Sequence, residues 1–368
     1  MSTPSIVLLK STLEKNGGLE KYAIEIAKGF TERGYRLTLL TTGAENTSFP
    51  FPVISYHFRS KMSFRKVAEF DLFCRSYVER ENPSLIFGLD RNSLQTHIRA
   101  GNGVHAAYLN ERKKREGFWK GLSFSANPLH RRLLELEKTA FEHPKLQKLF
   151  TNSDMVRRQV LHYYNTDPNK ICVIHNGVEW TRMQVPFDAW PEKKRLQTDR
   201  LQLLFLGHNF RRKGLDYLLD ALTQLPKGDF HLNVVGKDKN EARYKKRVQA
   251  LHLEKNVTFF GPVPSAIPFY QLSDVLIIPS LYDPFANVTV EALAMGLFVL
   301  SSSNNGASEI LTKDNGMILS SLTDKDCFVE ALITLMDKKK TLSSSLQIRN
   351  SIQYLDFPNQ LNKMIDLC

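Results

Sequence analysis

At 368 residues the chain is longer than one hydrophobic core comfortably serves, and two domains of ordinary size are expected. A hydrophobic content of 42% with interspersed charge excludes a disordered or fibrous chain, and no apolar run approaches the roughly 20 residues of a membrane-spanning helix. The formal charge of +12 is uneven: residues 1–180 hold 27 Lys and Arg against 18 Asp and Glu, so the first half is expected to face nucleic acid, a membrane surface or a phosphorylated substrate. Residues 1–5 carry neither a basic segment nor a cleavage signal, which predicts a cytoplasmic protein. The four cysteines, Cys74, Cys172, Cys327 and Cys368, have no metal-ligand spacing and no disulfide framework.

Short apolar or β-branched runs alternate with amphipathic stretches, the pattern of α/β domains with parallel sheets. Strands are expected over 6–10, 36–41, 53–56, 84–88, 148–151 and 170–174, and helices over 18–33, 64–81, 129–143 and 154–164. His175-Asn-Gly-Val178 makes a turn, and the polar, proline-containing stretch 180–200 lacks periodicity. The boundary therefore falls there, with one domain over 1–178, a second over 179–354 and a final amphipathic helix in 355–368 that packs back on one of them. In the second series strands are expected over 202–207, 231–236, 256–260, 275–279 and 298–302, and helices over 214–225 and 241–252. Two Rossmann-like domains in tandem would face each other across a cleft, with ligands outside the carboxyl ends of the strands.

Three stretches carry chemistry. In Tyr282-Asp-Pro-Phe-Ala-Asn-Val-Thr-Val-Glu291, the Asp283-Pro284 pair reads as a helix N-cap with proline at the first helical position, which leaves Glu291 a solvated helix residue. A ligand role for both carboxylates is the alternative. In Gly207-His-Asn-Phe-Arg-Arg-Lys-Gly214, the cations Arg211, Arg212 and Lys213 cluster at a strand-to-helix turn. They suit a diphosphate or form a solvated basic turn. The glycines of Lys15-Asn-Gly-Gly-Leu-Glu20 follow the first strand, where a backbone can approach a ligand closely, yet they lack the spacing of a dinucleotide fingerprint.

Gly17-Gly18, the His175 turn, the 207–214 loop, Phe259-Phe-Gly261 and the Asp-x7-Glu step resemble, in this order over nearly the whole chain, the retaining GT-B glycosyltransferases of family 4. Within the family the chain looks most like the lipopolysaccharide core glucosyltransferase I group, through Arg211-Arg-Lys-Gly214, Leu136-Glu-Lys-Thr-Ala-Phe-Glu142 and a basic segment at 99–132. The resemblance implies that Glu291 binds the ribose hydroxyls and that Asp283 contacts the donor sugar, where relatives usually carry a glutamate. It implies further that the amides of Ala286, Asn287 and Val288 hold the diphosphate, that Arg212 and Lys213 neutralise it, and that Gly17 and Gly18 close over it. The base would rest near Gly261 to Val263. His208 stands where many relatives have arginine, so its role passes to Arg211 or Arg212. The 97–108 stretch is read as the acceptor-side loop, with His105 or Asn102 contacting the donor sugar.

The resemblance also implies the mechanism. Cleavage of the anomeric bond builds negative charge on the departing diphosphate, so fixed cations and helix amides are the main catalytic device. Front-face transfer is implied, in which the leaving phosphate helps deprotonate the acceptor hydroxyl, and no carboxylate pair is placed for a double displacement. The expected donor is UDP-linked glucose, the expected acceptor a lipopolysaccharide core or another cell-envelope glycan. Asp324-Lys-Asp326 reads as a helix cap, and neither a cofactor nor a metal is expected. Arg112, Lys113, Lys114, Arg115 and Lys120, interleaved with Phe118 and Trp119, suit an anionic bilayer surface, which predicts peripheral attachment to the inner face of the cytoplasmic membrane. Two readings compete with the transferase: a nucleotide-sugar epimerase or hydrolase of the same fold, and a non-catalytic membrane-binding module. No nucleic-acid signature is present.

Overall fold

The run Ile6 to Leu9 puts four successive apolar side chains into the core, and Val275 to Ile278 does the same, as strands covered on both faces require. They form the centres of two parallel sheets in a computed structural model that describes residues 4–12, 18–43, 49–191 and 199–368. The chain divides into unit 1, Met1–His175 with Gln360–Cys368, and unit 2, Asn176–Asn359.

Unit 1 contains β1 (Ser5–Leu9), β2 (Arg36–Thr41), β3 (Val53–Ser55), β4 (Leu85–Gly88), β5 (His97–Ala100), β6 (Lys148–Thr151) and β7 (Ile171–Val173), in the order β3-β2-β1-β4-β5-β6-β7. β1 pairs β2 on one side and β4 on the other, with Ile6 opposite Leu37 and Leu85. The strand order therefore reverses between β1 and β4, and the crevice beyond their carboxyl ends is where open α/β sheets bind ligands.

Unit 2 repeats the plan with β8 (Leu201–Leu206), β9 (Phe230–Val235), β10 (Val257–Gly261), β11 (Val275–Ile278), β12 (Phe298–Ser302) and β13 (Gly316–Leu319), in the order β10-β9-β8-β11-β12-β13. Its reversal lies between β8 and β11.

Three sequence expectations need correction. The stretch 97–108 is not one loop: His97–Ala100 is a strand inside the sheet, and a helix His105–Glu116 follows at once. His97 and Arg99 are as buried as Ile98, and their polarity hid the strand. The basic segment continues into a second helix, Phe118–Ala126, after a turn at Gly117 with φ +87°. The 180–200 stretch contributes Phe187 and Trp190 to the unit 2 core, so part of it is packed structure.

The last helix, Phe357–Ile365, carries residues of unit 1 from Gln360 onward. Leu361 and Ile365 sit against Gly29, where a Cβ would lie 2.6 Å from the Ile365 Cδ1 atom, and Arg33 bonds Asp366 at 2.9 Å. A side chain at 29 would make the end of Ile365 shift.

Candidate active site

The 207–214 loop leaves the carboxyl end of β8 and returns through Gly214, whose φ of +83° is open to glycine and whose Cβ would lie 1.9 Å from the Pro279 carbonyl oxygen. This tight return buries Lys213 and half-buries Arg212. Both cations meet one atom, Asp283 Oδ2, with Lys213 Nζ at 2.7 Å and an Arg212 guanidinium nitrogen at 2.8 Å. The same guanidinium donates to the Tyr282 carbonyl at 3.0 Å, and the Leu281 amide donates to the Arg212 carbonyl at 2.8 Å. The loops after β8 and β11 are thus stitched together.

Burial acts against both charges. It pushes the Asp283 carboxyl up, but Lys213 and Arg212 together more than offset it and hold the carboxyl below its usual range. The Lys213 ammonium is pushed below the usual lysine range by burial and by Arg212, with Asp283 opposing. Arg211 is exposed and the ion pairs to Asp283 come from Arg212 and Lys213, so the structure brings together two of the three cations. His208 Nδ1 accepts the Lys237 amide at 3.0 Å, which fixes the ring at the loop start.

Asp283 is not the N-cap. The helix is Asn287–Ala294, and its N-cap is Ala286, whose own side chain makes no capping bond. What holds Asp283 is backbone: its amide donates to the Asn304 carbonyl at 3.0 Å and its carbonyl accepts the Gly306 amide at 2.9 Å. The carboxylate is free to serve the cations. Asn305, fully buried, takes the Ala286 amide at 3.0 Å and the Ala307 amide at 3.1 Å on its Oδ1, and donates from Nδ2 to Ser301 Oγ at 2.9 Å. The Ala286 amide is therefore occupied by a side chain. Asn287 and Val288 open the helix, where the N–H groups of any α-helix point outward without an intrahelical carbonyl. Asn287 also accepts a 2.6 Å bond from Asn176 of the His175 turn.

Sequence reading missed Asn305. Its signal was Asn304-Asn305-Gly306 directly after a strand, the composition of a turn that bonds its own backbone.

Glu291 lies one turn further along the helix, half-buried, with Oε2 accepting a 2.7 Å bond from the Tyr270 hydroxyl. Burial raises its carboxyl above the usual glutamate range, and the Tyr270 bond pulls it back in part. Gly261 ends β10 with φ +68° and open space where a side chain would stand, and Val263 packs on the unit 2 core. Asp324 caps the helix Lys325–Leu335 by accepting the Cys327 amide at 3.1 Å.

In unit 1, Gly17 lies outside the described residues, and Gly18 opens the helix Gly18–Glu32. The two acceptor-side candidates part company. Asn102 is exposed in the turn after β5, beside a pocket also lined by Asp90, Arg91, Gln95 and Arg99. His105 is buried, and its Nε2 lies 3.1 Å from His130 Nδ1. Burial, aided by Arg91 and His130, drops its pKa to about 3, so the ring is neutral at physiological pH.

Beneath it the fully buried Glu137 accepts the His105 amide at 2.9 Å, the Arg91 Nε at 2.9 Å and the Tyr164 hydroxyl at 2.6 Å. Glu137 thus satisfies the amides that open the helix His105–Glu116. His105 belongs to that buried scaffold, and Asn102 stays exposed beside the pocket.

Along the helix His105–Glu116, Arg112 pairs with Glu116 at 2.9 Å and stacks 4.2 Å from the Phe124 ring centre, while Lys114 pairs with Glu111 at 2.7 Å. Lys113, Lys114 and Arg115 fill its last turn, the end of a helix where cations are favoured. The side chains of Phe118, Trp119 and Lys120 lie outside the described residues. Among the described residues no helix is long and apolar enough to cross a membrane.

Comparison with known proteins follows the same division. The family described as Glycosyltransferase Family 4 matches residues 16–182, and that described as Glycosyl transferases group 1 matches residues 186–351. The lipopolysaccharide glucosyltransferase WaaG of Escherichia coli (strain K12) is 24% identical over 308 residues, which cover 81% of this chain and 80% of the relative. A D-inositol 3-phosphate glycosyltransferase of Corynebacterium aurimucosum is 26% identical over 231 residues, 57% of this chain and 55% of the relative. Among solved structures, WaaG superposes with a TM-score of 0.81 at 20% identity, covering 98% of this chain and 99% of its own. Anabaena Alr3699/HepE in complex with UDP and glucose superposes with a TM-score of 0.68 at 17% identity, covering 99% and 98%. The fold is therefore GT-B: two parallel α/β sheets in two Rossmann-like domains.

Proposed function

We propose that this chain, which belongs to the group 1 glycosyl transferases and is a glycosyltransferase, moves a hexose, with glucose preferred, from a UDP-sugar to a lipopolysaccharide core or related cell-envelope glycan with retention of configuration. The observation that carries this reading is the convergence of Lys213 and Arg212 on Asp283 beside the start of a helix that bears Glu291 one turn on. Two cations and helix-start amides at one point suit a diphosphate, because each stabilises charge that grows on the leaving group. A carboxylate one helical turn away, about 5 Å along the axis, is placed for the hydroxyls of the attached ribose.

In this reading the donor diphosphate takes Lys213 and Arg212 as partners and releases Asp283 toward the sugar. The fixed cations then supply the charge stabilisation, with neither a metal nor a cofactor called on. Leaving-group phosphate assists the acceptor hydroxyl on the same face of the sugar. WaaG of Escherichia coli is named for transfer to lipopolysaccharide and HepE was solved with UDP and glucose, which supports the choice of donor and acceptor class.

Incubation with UDP-glucose, UDP-GlcNAc or GDP-mannose and a panel of lipid-linked and soluble envelope glycans should yield a glycosylated product from one donor, with the anomeric configuration kept. A rearranged nucleotide sugar without an acceptor product would indicate an epimerase instead. Membrane attachment is part of the proposal: charge removal at Lys113, Lys114 and Arg115 together should weaken binding to anionic vesicles at low salt by about a hundredfold, at roughly 1 kcal/mol per cation. Unchanged binding would remove that part.

A further inference from the structure

Tyr270 is a fully buried aromatic on the short helix Ile267–Leu272, and its hydroxyl has one job in the structure, the 2.7 Å bond to Glu291 Oε2. The helix that carries it is clamped from behind. Lys340 Nζ donates to the Tyr270 carbonyl at 3.2 Å and sits 4.4 Å from the centre of the Trp190 ring, and Gln271 donates to the Pro186 carbonyl at 2.7 Å. Asp274, just beyond this helix, accepts the Gln202 amide at 2.8 Å and the Lys340 amide at 2.6 Å. Three other stretches of unit 2, at 186–190, 202 and 340, therefore hold the helix that carries the phenol.

A carboxylate accepts and a phenol donates, so the direction of the bond is set when Glu291 is ionised. Of the two carboxylate oxygens, Oε2 is taken by the protein, and Oε1 has no partner among the described residues. A half-exposed carboxylate with one oxygen pinned presents the other in a fixed direction, at little cost in side-chain entropy on binding.

We propose that Tyr270 is a positioning residue for the nucleotide: it locks Glu291 into the rotamer that accepts the ribose hydroxyls. The claim rests on the ribose role proposed for Glu291 and extends it to a residue 21 positions earlier in sequence. Tyr270 itself touches no ligand. Its phenol keeps the acid aimed, and the contacts behind the helix hold the phenol in place.

The test is a two-by-two set, Tyr270→Phe, Glu291→Gln and the double variant, against the tightest wild-type binder of UDP, GDP and ADP and its 2′,3′-dideoxy form, by calorimetry. Tyr270→Phe should weaken the ribose nucleotide about 3- to 10-fold, the value of one net hydrogen bond. It should leave the dideoxy nucleotide unchanged and add nothing in the Glu291→Gln background. Equal loss for both nucleotides would mean a merely structural tyrosine and overturn the inference. No loss on Tyr270→Phe alongside a loss on Glu291→Gln would overturn it too, while sparing the ribose role. If Glu291→Gln itself changes nothing, or if no nucleoside diphosphate binds, the ribose role falls and the inference with it.

Discussion

Each unit brings a lysine and an aspartate together where its sheet reverses order, and the two pairs are used differently. In unit 1, Lys10 follows β1 and Asp90 follows β4, with Nζ 3.3 Å from both carboxylate oxygens. Asp90 Oδ2 is also committed to the Ser11 amide at 2.6 Å and the Ser11 hydroxyl at 2.7 Å. The side chain shapes the turn after β1 and has little left for a ligand. In unit 2, Lys213 follows β8 and Asp283 follows β11, but the loop is held by the Asp283 backbone through Asn304 and Gly306. Among the described residues its carboxylate pairs with the two cations alone, at 2.7 and 2.8 Å. One fold plan thus yields a turn lock in the first unit and, in the second, an ion cluster whose carboxylate takes no part in holding the loop backbone. What separates them is whether backbone or side chain secures the loop.

Neutralising the two aspartates should sharpen this contrast. Asp283→Asn leaves a buried ammonium and a half-buried guanidinium without a counter-charge, which costs about 3 kcal/mol or more. For a unit of this size that is a drop of roughly 6–12 °C in the unfolding transition of unit 2, measured by scanning calorimetry.

The pH dependence follows from the lowered carboxyl. Wild-type Asp283 contributes stability that is present above its unfolded value of 3.8 and is lost as pH falls through the lower folded value, whereas the asparagine variant has no such acid step. Asp90→Asn keeps an acceptor for Ser11 and gives up only a long ion pair, so its loss should be about 1 kcal/mol. Equal losses at the two positions, or a larger one at Asp90, would break the comparison.

Unit 2 was the more legible half because its chemistry lies within short windows. Unbroken apolar runs announced β11 and the Leu203–Leu206 part of β8, and the glycines at 207 and 214 with three intervening cations announced the loop between β8 and its helix. The window could not say which cation turns inward. Arg211 and Arg212 are adjacent and alike, and it is in the fold that Arg212 bonds the 281 amide and the 282 carbonyl next to Asp283. Nor could it reveal that Asp283-Pro284 precedes the helix without capping it, since Asn305, 22 positions later, supplies the acceptor at the helix start.

In unit 1 the decisive contacts are further apart. His105 looked like a ligand residue in a glycine-rich loop, yet its surroundings come from Arg91, His130 and Glu137, none of which a local window connects to it. A strand with histidine and arginine facing a packed interior, as in β5, breaks the apolar pattern that marks its neighbours. Family resemblance recovered the order of the motifs. The burial of each side chain had to come from the fold.

The most direct test of the nucleotide-diphosphate site is calorimetric binding of UDP to the wild type and to Lys213→Met, which keeps the buried stem and removes the charge. A charge-assisted contact to phosphate is worth about 1.5–3 kcal/mol, so the variant should bind UDP at least about tenfold more weakly while uridine, which lacks the diphosphate, binds both proteins alike. UDP binding equally well to both proteins would contradict the assignment of the Lys213, Arg212 and Asp283 cluster as the diphosphate site.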